Sequence, residues 1–121
     1  MKTNQTTGKT GEDLAEDFLK KNGFRVIEKN FSGRYGEIDI IALDKDTLVF
    51  VEVKTRTSSQ FGNPLEAITS WKLRTLTKTA QFYKLTHQNL PDSLRIDAVS
   101  VELFPNGELK NIEHVRNISG F

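Results

Sequence analysis

The spacing of apolar residues predicts an amphipathic helix at the start of the chain. Within Gly8–Asn22, apolar side chains recur at the three- and four-residue intervals of one helical face, at Leu14, Ala15, Phe18 and Leu19. Gly23 stands just past this stretch, where a glycine commonly ends a helix. The run Phe24–Asn30 that follows predicts the first strand.

A β-hairpin is predicted next, because two runs rich in β-branched residues flank a short polar segment. The runs are Gly36–Leu43 and Leu48–Lys54. A two-residue loop at Lys45–Asp46 would place Asp39 directly opposite Glu52 on the neighbouring strand. Like charges that face each other across a strand pair are destabilising, so folding alone gives no reason for this arrangement.

The same register makes two further predictions about side-chain pairs. Glu37 should face Lys54, and Ile38 should share an apolar face with Val53. A slip of one residue would turn the carboxylates into the apolar layer, so the alternation favours this register.

The second half of the chain predicts a helix followed by another hairpin. Asn63-Pro64 suits a helix start, and apolar positions continue the helix to about His87, with a break near Ser70. The runs Leu94–Leu103 and Glu108–Arg116 flank a turn at Asn106-Gly107. The element order predicts a single domain over residues 1–121, a mixed α/β sandwich (α+β) with a central sheet flanked by helices.

The facing carboxylates of Asp39 and Glu52 are typical ligands for a hard divalent cation. The chain has no cysteine and only two histidines. An all-oxygen site of this kind suits Mg²⁺ or Mn²⁺ and disfavours zinc. Lys54 could then position a water molecule or a phosphate. In the alternative interpretation, Lys54 and Glu37 form a plain cross-strand ion pair and the two carboxylates turn towards solvent.

The amino-acid composition indicates a cellular location but does not indicate a substrate. The absence of cysteine fits a cytoplasmic protein, and no apolar run approaches the roughly 20 residues that span a bilayer. The formal net charge of +1 gives no overall polybasic signature.

Charge is nevertheless unevenly distributed along the chain. Between Val53 and Pro91 there is one acid, Glu66, against six basic residues: Lys54, Arg56, Lys72, Arg74, Lys78 and Lys84. A basic half beside an acidic pocket suits a polyanion held by its phosphates, although lysines on a helix are also common as a solvated face.

Several single residues receive separate predictions. Lys72 could reach a phosphate or assist the site, or it could be an ordinary solvent-facing lysine of the helix. Arg34, in the loop before the site strand, suits contact with a nucleic-acid backbone or a plain turn. Arg56 is expected on the opposite face from Lys54. Trp71 is expected to pack in the core or at a helix interface rather than to stack on bases. His87 and His114 lack any metal-ligand spacing.

An acidic residue on one strand and the sequence Glu52-Val53-Lys54 on the next resemble the PD-(D/E)xK nucleases, which have the restriction-endonuclease-like fold. A longer pattern resembles the YraN-like family of bacterial proteins. This pattern comprises Gly11-Glu12 with Ala15, Gly36–Asp39, Phe50–Lys54 with Arg56, Phe61–Pro64 with Glu66-Ala67, Lys72, Arg95 with Asp97, and Phe121.

The resemblance implies a metal-dependent endonuclease that acts on DNA, including structured or branched DNA. Asp39 and Glu52 would bind the metal, with the Val53 carbonyl as a third donor and Lys54 as the water-positioning group. Glu12, expected in the first turn of the first helix, would support the metal site. Junction-cleaving relatives act as homodimers. The alternative is a binding or partner-recruiting module that keeps the fold without catalysis.

Overall fold

The computed structural model describes residues 6–57, 64–119 and 121. Within these ranges a five-stranded sheet lies between two helices, which confirms the predicted α+β sandwich with a mixed sheet. The elements are α1 (Thr6–Lys21), β1 (Arg25–Ser32), β2 (Glu37–Asp44), β3 (Thr47–Thr57), a 3₁₀ turn (Pro64–Ala67), α2 (Ser70–Leu85), β4 (Ser93–Leu103) and β5 (Leu109–Val115).

The strands follow each other across the sheet in chain order, β1-β2-β3-β4-β5. Every neighbouring pair is antiparallel except β3 and β4, which are parallel. A parallel pair needs a long crossover connection, and the segment containing α2 provides it. Neither α1 nor α2, in the ranges described, is long and apolar enough to cross a membrane.

Two apolar layers form, one on each face of the sheet. Ala15 and Leu19 of α1 pack against one layer, which includes Ile40, Ala42, Val49, Val51, Val99 and Val101. Leu76, Ala80 and Tyr83 of α2 pack against the other, which includes Ile41, Leu48, Phe50 and Ile96. Residues 48–51 of β3 are fully buried because both faces of this central strand are covered, which explains the unbroken apolar run there.

The ends of both helices follow local sequence signals. Gly23 has a φ of 91°, its N–H bonds to the Lys20 carbonyl, and the Phe24 N–H bonds to the Leu19 carbonyl. These two bonds form the Schellman motif, and Phe24 packs in the same apolar layer as Leu19. At α2, Thr69 Oγ1 accepts a hydrogen bond from the Lys72 N–H over 3.1 Å as the N-cap.

The predicted break near Ser70 is confirmed, because a separate 3₁₀ turn precedes α2. The predicted cap at Asn63 lies outside the described residues.

The hairpin register is confirmed from Asp44 opposite Thr47 to Ile40 opposite Val51. Beyond that pair the prediction is wrong. Ile38 packs in the α2-side layer, whereas Val53 packs against the α1-side layer.

This change coincides with an irregularity in the neighbouring strand. In β1, Asn30 has a φ of 54°, and β1 pairs on either side of it, with Lys29 opposite Ile40 and Phe31 opposite Ile38. Ile38 and Ile40 are two residues apart in β2 but pack in layers on opposite faces of the sheet, so the simple alternation of faces is interrupted between them. The interruption falls at Asp39, where the carboxylate site is built.

Candidate functional site

Asp39 lies immediately beyond the last residue pair of the β2–β3 ladder. Its Oδ2 accepts a hydrogen bond from the Val53 backbone N–H over 2.8 Å. The side chain therefore takes the place of a ladder partner for β3 and is held towards that strand. Asp39 and Glu52 are brought together as predicted, although through this side-chain bond and not as a regular cross-strand pair.

Glu52 lies in β3 with its carboxylate on the α2 side of the sheet, and it is only 5% exposed. Two ammonium groups flank it: Lys54 Nζ and Lys72 Nζ each lie 3.6 Å from Glu52 Oε2. Both lysine side chains are about one-third exposed, 33% for Lys54 and 34% for Lys72. The site therefore consists of a buried carboxylate with two cations that solvent can reach.

The pKa values of both acids reflect this environment. Burial raises the pKa of Asp39 above its ordinary value, against the lowering effect of the Val53 N–H and the two lysines. The pKa of Glu52 is also raised, first by burial and then by the charge of Asp39. The neighbouring lysines do not fully offset these effects, so the protein holds two carboxylates where their anionic forms are disfavoured.

The donor set of Asp39 and Glu52 fits a hard divalent cation that keeps part of its water shell. Magnesium sites commonly use one or two carboxylates and leave the other positions to water and phosphate. In the part of the chain that the structure describes, no three His, Cys, Asp or Glu side chains gather as metal ligands. Glu12 therefore does not complete a three-carboxylate group with the other two.

Two expectations about the surroundings of the site are wrong. Glu37 pairs with Ser32 of β1, and Lys54 is paired with Glu52 instead of Glu37. Glu12 lies in the second turn of α1 and not the first, because the helix begins at Thr6. An interaction with the helix dipole therefore no longer explains the acid at this position, and its role in the site stays a prediction.

Three of the residues predicted to contact nucleic acid, Lys72, Arg74 and Lys78, lie in α2, which has no acidic residue along its length. Arg74 and Lys78 are exposed on the helix, and Lys72 turns towards Glu52. The guanidinium of Arg34 lies 5.7 Å from the centre of the Tyr35 ring in the β1–β2 loop.

Arg56 shares the face of Lys54, because β3 pairs regularly with β4 over this stretch and residues two apart in a strand point the same way. The expectation that Arg56 lies on the opposite face is therefore wrong.

The exposure of Trp71 was missed in the sequence. Trp71 is 65% exposed, so the prediction that it packs inside the protein is wrong. Its position relative to Leu73 gave a signal, since two residues correspond to about 200° around a helix and place Trp71 opposite the apolar stripe. Lys72 was expected to assist the site or to reach a phosphate, but its contact with Glu52 could not be predicted from the sequence, because it joins two elements through tertiary packing.

A second polar cluster lies on the α1 side of the sheet. Asp97 is fully buried and binds the Arg95 guanidinium, His114 Nε2 and the Asn117 N–H, with separations of 2.8–3.1 Å. Arg95 also binds Asp44, over 3.0 Å. Both carboxylate oxygens of Asp97 accept hydrogen bonds from groups within the protein, so this cluster stabilises the fold.

Comparison with known proteins identifies the family. A model of the uncharacterised protein family UPF0102 matches residues 11–101, a range that contains Glu12, Asp39, Glu52 and Lys54. The chain belongs to the UPF0102 family. Its match to UPF0102 confirms the resemblance to the YraN-like family, while membership of the PD-(D/E)xK nucleases stays a prediction.

UPF0102 relatives are similar over almost their full length. A UPF0102 protein of Renibacterium salmoninarum is 45% identical over 118 residues, covering 98% of this chain and 99% of the relative. One from Geobacter metallireducens is 41% identical over 114 residues, covering 94% and 92%. One from Persephonella marina is 43% identical over 110 residues, covering 91% and 90%.

Proposed function

We propose that this UPF0102 protein is a Mg²⁺- or Mn²⁺-dependent nuclease that hydrolyses phosphodiester bonds in DNA. The observation that carries the proposal is the juxtaposition of Asp39 and Glu52, two carboxylates of raised pKa, with two lysines beside them. A divalent cation between the carboxylates would attract both of them and so outweigh their mutual repulsion.

Each side chain has a definite part in this mechanism. Asp39 and Glu52 provide the metal ligands, and the hydrogen bond from the Val53 N–H fixes the orientation of Asp39. When bound, the metal lowers the pKa of a water molecule and stabilises charge on phosphoryl oxygens. Lys54, partly exposed beside Glu52, orients the attacking water or the phosphate and stabilises negative charge in the transition state.

Lys72 adds a second positive charge from α2. Its ammonium group lies as close to Glu52 as that of Lys54 does. With Glu52 engaged as a metal ligand, one of the two lysines would be free to bind a phosphate. The basic and acid-free α2 helix would hold the flanking phosphates of a polyanion, which supports a nucleic acid as the substrate.

The interpretation of the carboxylates as a solvated surface pair has little support. Glu52 is 5% exposed, so it does not turn towards solvent. Surface ion pairs stabilise a folded protein by about 0–1 kcal/mol, which is less than the cost of burying two adjacent acids. Function gives the simplest reason to keep them together.

The first experiment measures Mn²⁺ binding by calorimetry in the natural protein, Asp39→Asn and Glu52→Gln. We expect saturable binding that both substitutions abolish. Glu102→Gln is the matched control, because Glu102 also has a lysine, Lys110, 3.6 Å from its carboxylate but lies outside the site. Binding that survives in Asp39→Asn and Glu52→Gln would contradict the metal site.

The second experiment measures cleavage of flapped, branched, duplex and single-stranded DNA with Mn²⁺ or Mg²⁺. We expect cleavage by the natural protein and by Glu102→Gln, and none by Glu52→Gln. Metal binding without cleavage of any substrate would instead favour a non-catalytic nucleic-acid-binding module.

A further inference from the structure

A shallow groove lies between the β1–β2 loop and the second half of α2. It has a volume of about 330 Å³ and is lined by Tyr35, Lys78, Gln81, Phe82 and Leu85. This volume lies at the lower end of the range for small-molecule pockets, which suits a ligand of the size of one nucleotide. We call it the Tyr35 groove.

The loop that carries Tyr35 is fixed against α2. The Gly33 N–H bonds to the Gly36 carbonyl over 2.8 Å, which closes the loop. Gly36 approaches α2 so closely that a Cβ there would lie 2.8 Å from Thr75 Cγ2. The Tyr35 ring then meets Phe82 edge to face, with 6.0 Å between the ring centres. The groove is therefore preformed, and its aromatic wall has a defined position.

The Tyr35 groove is lined by the same helix that contributes Lys72 to the candidate active site. Lys78, in its lining, is six residues after Lys72, which contacts Glu52. Six residues correspond to about 9 Å along a helix and about 240° around it, so the two lysines lie on different sides of α2. A DNA strand that reaches both residues therefore has to pass around part of α2.

The chemistry of the lining matches a nucleotide whose base is not paired. Tyr35 is 47% exposed and offers a ring face for stacking, with the Arg34 guanidinium nearby. Lys78 can neutralise a phosphate, and the Gln81 amide can bond to a base edge. Trp71 provides another exposed ring on the same helix. Aromatic rings interspersed with cations are the usual means of binding single strands, because a duplex hides its base faces within the stack.

We propose that the Tyr35 groove binds an unpaired base of the DNA that is cut, so that the enzyme selects DNA with a single-stranded segment near the cleavage point. This inference rests on the proposed function for its reference to cleavage. Binding of the unpaired base itself is independent of the metal.

The test measures binding of a fluorescein-labelled 20-nucleotide oligo(dT) by anisotropy, in EDTA so that no cleavage occurs. Stacking on an aromatic side chain contributes about 1–3 kcal/mol per base, so Tyr35→Ala should weaken binding about tenfold. Tyr35→Phe keeps the ring and should bind within about twofold of the natural protein. This second variant separates loss of stacking from damage to the fold.

Phe104→Ala provides a matched control at the other edge of the sheet. Phe104 is 43% exposed and has Lys110 Nζ 5.9 Å from its ring centre, an environment close to that of Tyr35. This variant should bind oligo(dT) as the natural protein does. An equal loss in Phe104→Ala, or unchanged binding by Tyr35→Ala, would overturn the proposal.

Two further readouts address the bound form of the DNA. Trp71 is the single tryptophan of the chain, so fluorescence excited at the long-wavelength edge of tryptophan absorption, where the two tyrosines do not absorb, reports on this residue alone. We expect quenching by oligo(dT) and tighter binding of oligo(dT) than of a blunt duplex of the same length. Equal affinity for both forms would overturn the selection of unpaired bases. Lys78→Gln should lower the slope of log K against log salt by about 0.7.

The outcomes distinguish this inference from the proposed function. Cleavage that depends on Glu52 but is indifferent to Tyr35, together with unchanged oligo(dT) binding by Tyr35→Ala, would reject the groove and keep the nuclease. Binding of oligo(dT) that depends on Tyr35, without cleavage of any DNA, would keep the groove and reject the nuclease.

Discussion

The buried carboxylate of Asp97 permits a quantitative test of how the sheet beneath the site is stabilised. Asp97 Oδ1 accepts hydrogen bonds from Arg95 Nε and the Asn117 N–H, over 2.8 and 2.9 Å. Its Oδ2 accepts from His114 Nε2 over 2.8 Å and from Arg95 Nη2 over 3.1 Å. Asp97→Asn preserves the volume but replaces one oxygen by an NH₂ donor that must face other donors.

The cost follows from the geometry of this cluster. Removal of one charge from a buried ion pair typically costs about 3–5 kcal/mol, because the partner stays buried without compensation. Arg95 keeps its bond to Asp44, so we expect about 3 kcal/mol, at the lower end. Unfolding entropy is about 2.1 cal/mol/K per residue, or about 0.25 kcal/mol/K for the whole chain, so Tm should fall by about 12 °C.

The measurement is thermal unfolding by circular dichroism at pH 7, with Asp92→Asn as the control. Asp92 pairs with Lys84 over 3.2 Å but its side chain is 99% exposed, so its substitution should change Tm by less than about 2 °C. If Asp97→Asn melts within about 2 °C of the natural protein, the reasoning about the buried cluster is wrong.

The same variant has a defined pH dependence. Burial opposes ionisation of Asp97, but hydrogen bonds from His114, Arg95 and the Asn117 N–H hold its pKa below the ordinary 3.8. The stability it contributes is therefore complete above about pH 4 and is lost as the pH falls through the lower folded-state pKa. The difference in Tm between the natural protein and Asp97→Asn should shrink correspondingly in acid.

Three further predictions concern the site and its support. Because the pKa values of Asp39 and Glu52 are raised, the free energy of unfolding of the metal-free protein, measured in urea, should increase as the pH falls towards 5. Glu52→Gln should reduce this increase. An equal dependence of the unfolding free energy on pH in both proteins would contradict the raised pKa values. Gly11→Ala places a Cβ 1.9 Å from Thr55 Oγ1 and should cost about 1–3 kcal/mol in urea unfolding, with partial recovery in the double variant with Thr55→Ala. Lys54→Met should slow cleavage about 100-fold while calorimetry shows unchanged Mn²⁺ affinity. If the variant lost both cleavage and Mn²⁺ affinity, the role of Lys54 would not be confined to the chemical step.

Local signals in the sequence were sufficient for most of the elements. Gly23 marks the end of α1. Because glycine has no Cβ, it readily adopts the positive φ that accompanies the Schellman hydrogen bonds. The alternation of apolar and polar residues on either side of Lys45–Asp46 set the hairpin register through five residue pairs. Such features depend on neighbours in the chain, which is why a sequence pattern can specify them.

The same alternation failed at Asp39 for a physical reason. A period of two assumes a regular strand, but Ile38 and Ile40 of β2 pack on opposite faces of the sheet and the ladder between β2 and β3 ends at Ile40. The Asp39 side chain then binds the Val53 N–H, a contact that depends on the path of three strands. No pattern within the hairpin contained that information.

The sequence by itself determined the chemistry available to this protein: an oxygen-donor pair at Asp39 and Glu52, a lysine close to it in the chain, and a basic segment after Val53 with Glu66 as its one acid. Tertiary structure decided which groups meet. The crossover that makes β3 and β4 parallel lays α2 over the sheet, which brings Lys72 to Glu52 and leaves Trp71 exposed. These contacts join residues far apart in the chain, and only the packing of helix on sheet fixes their distances.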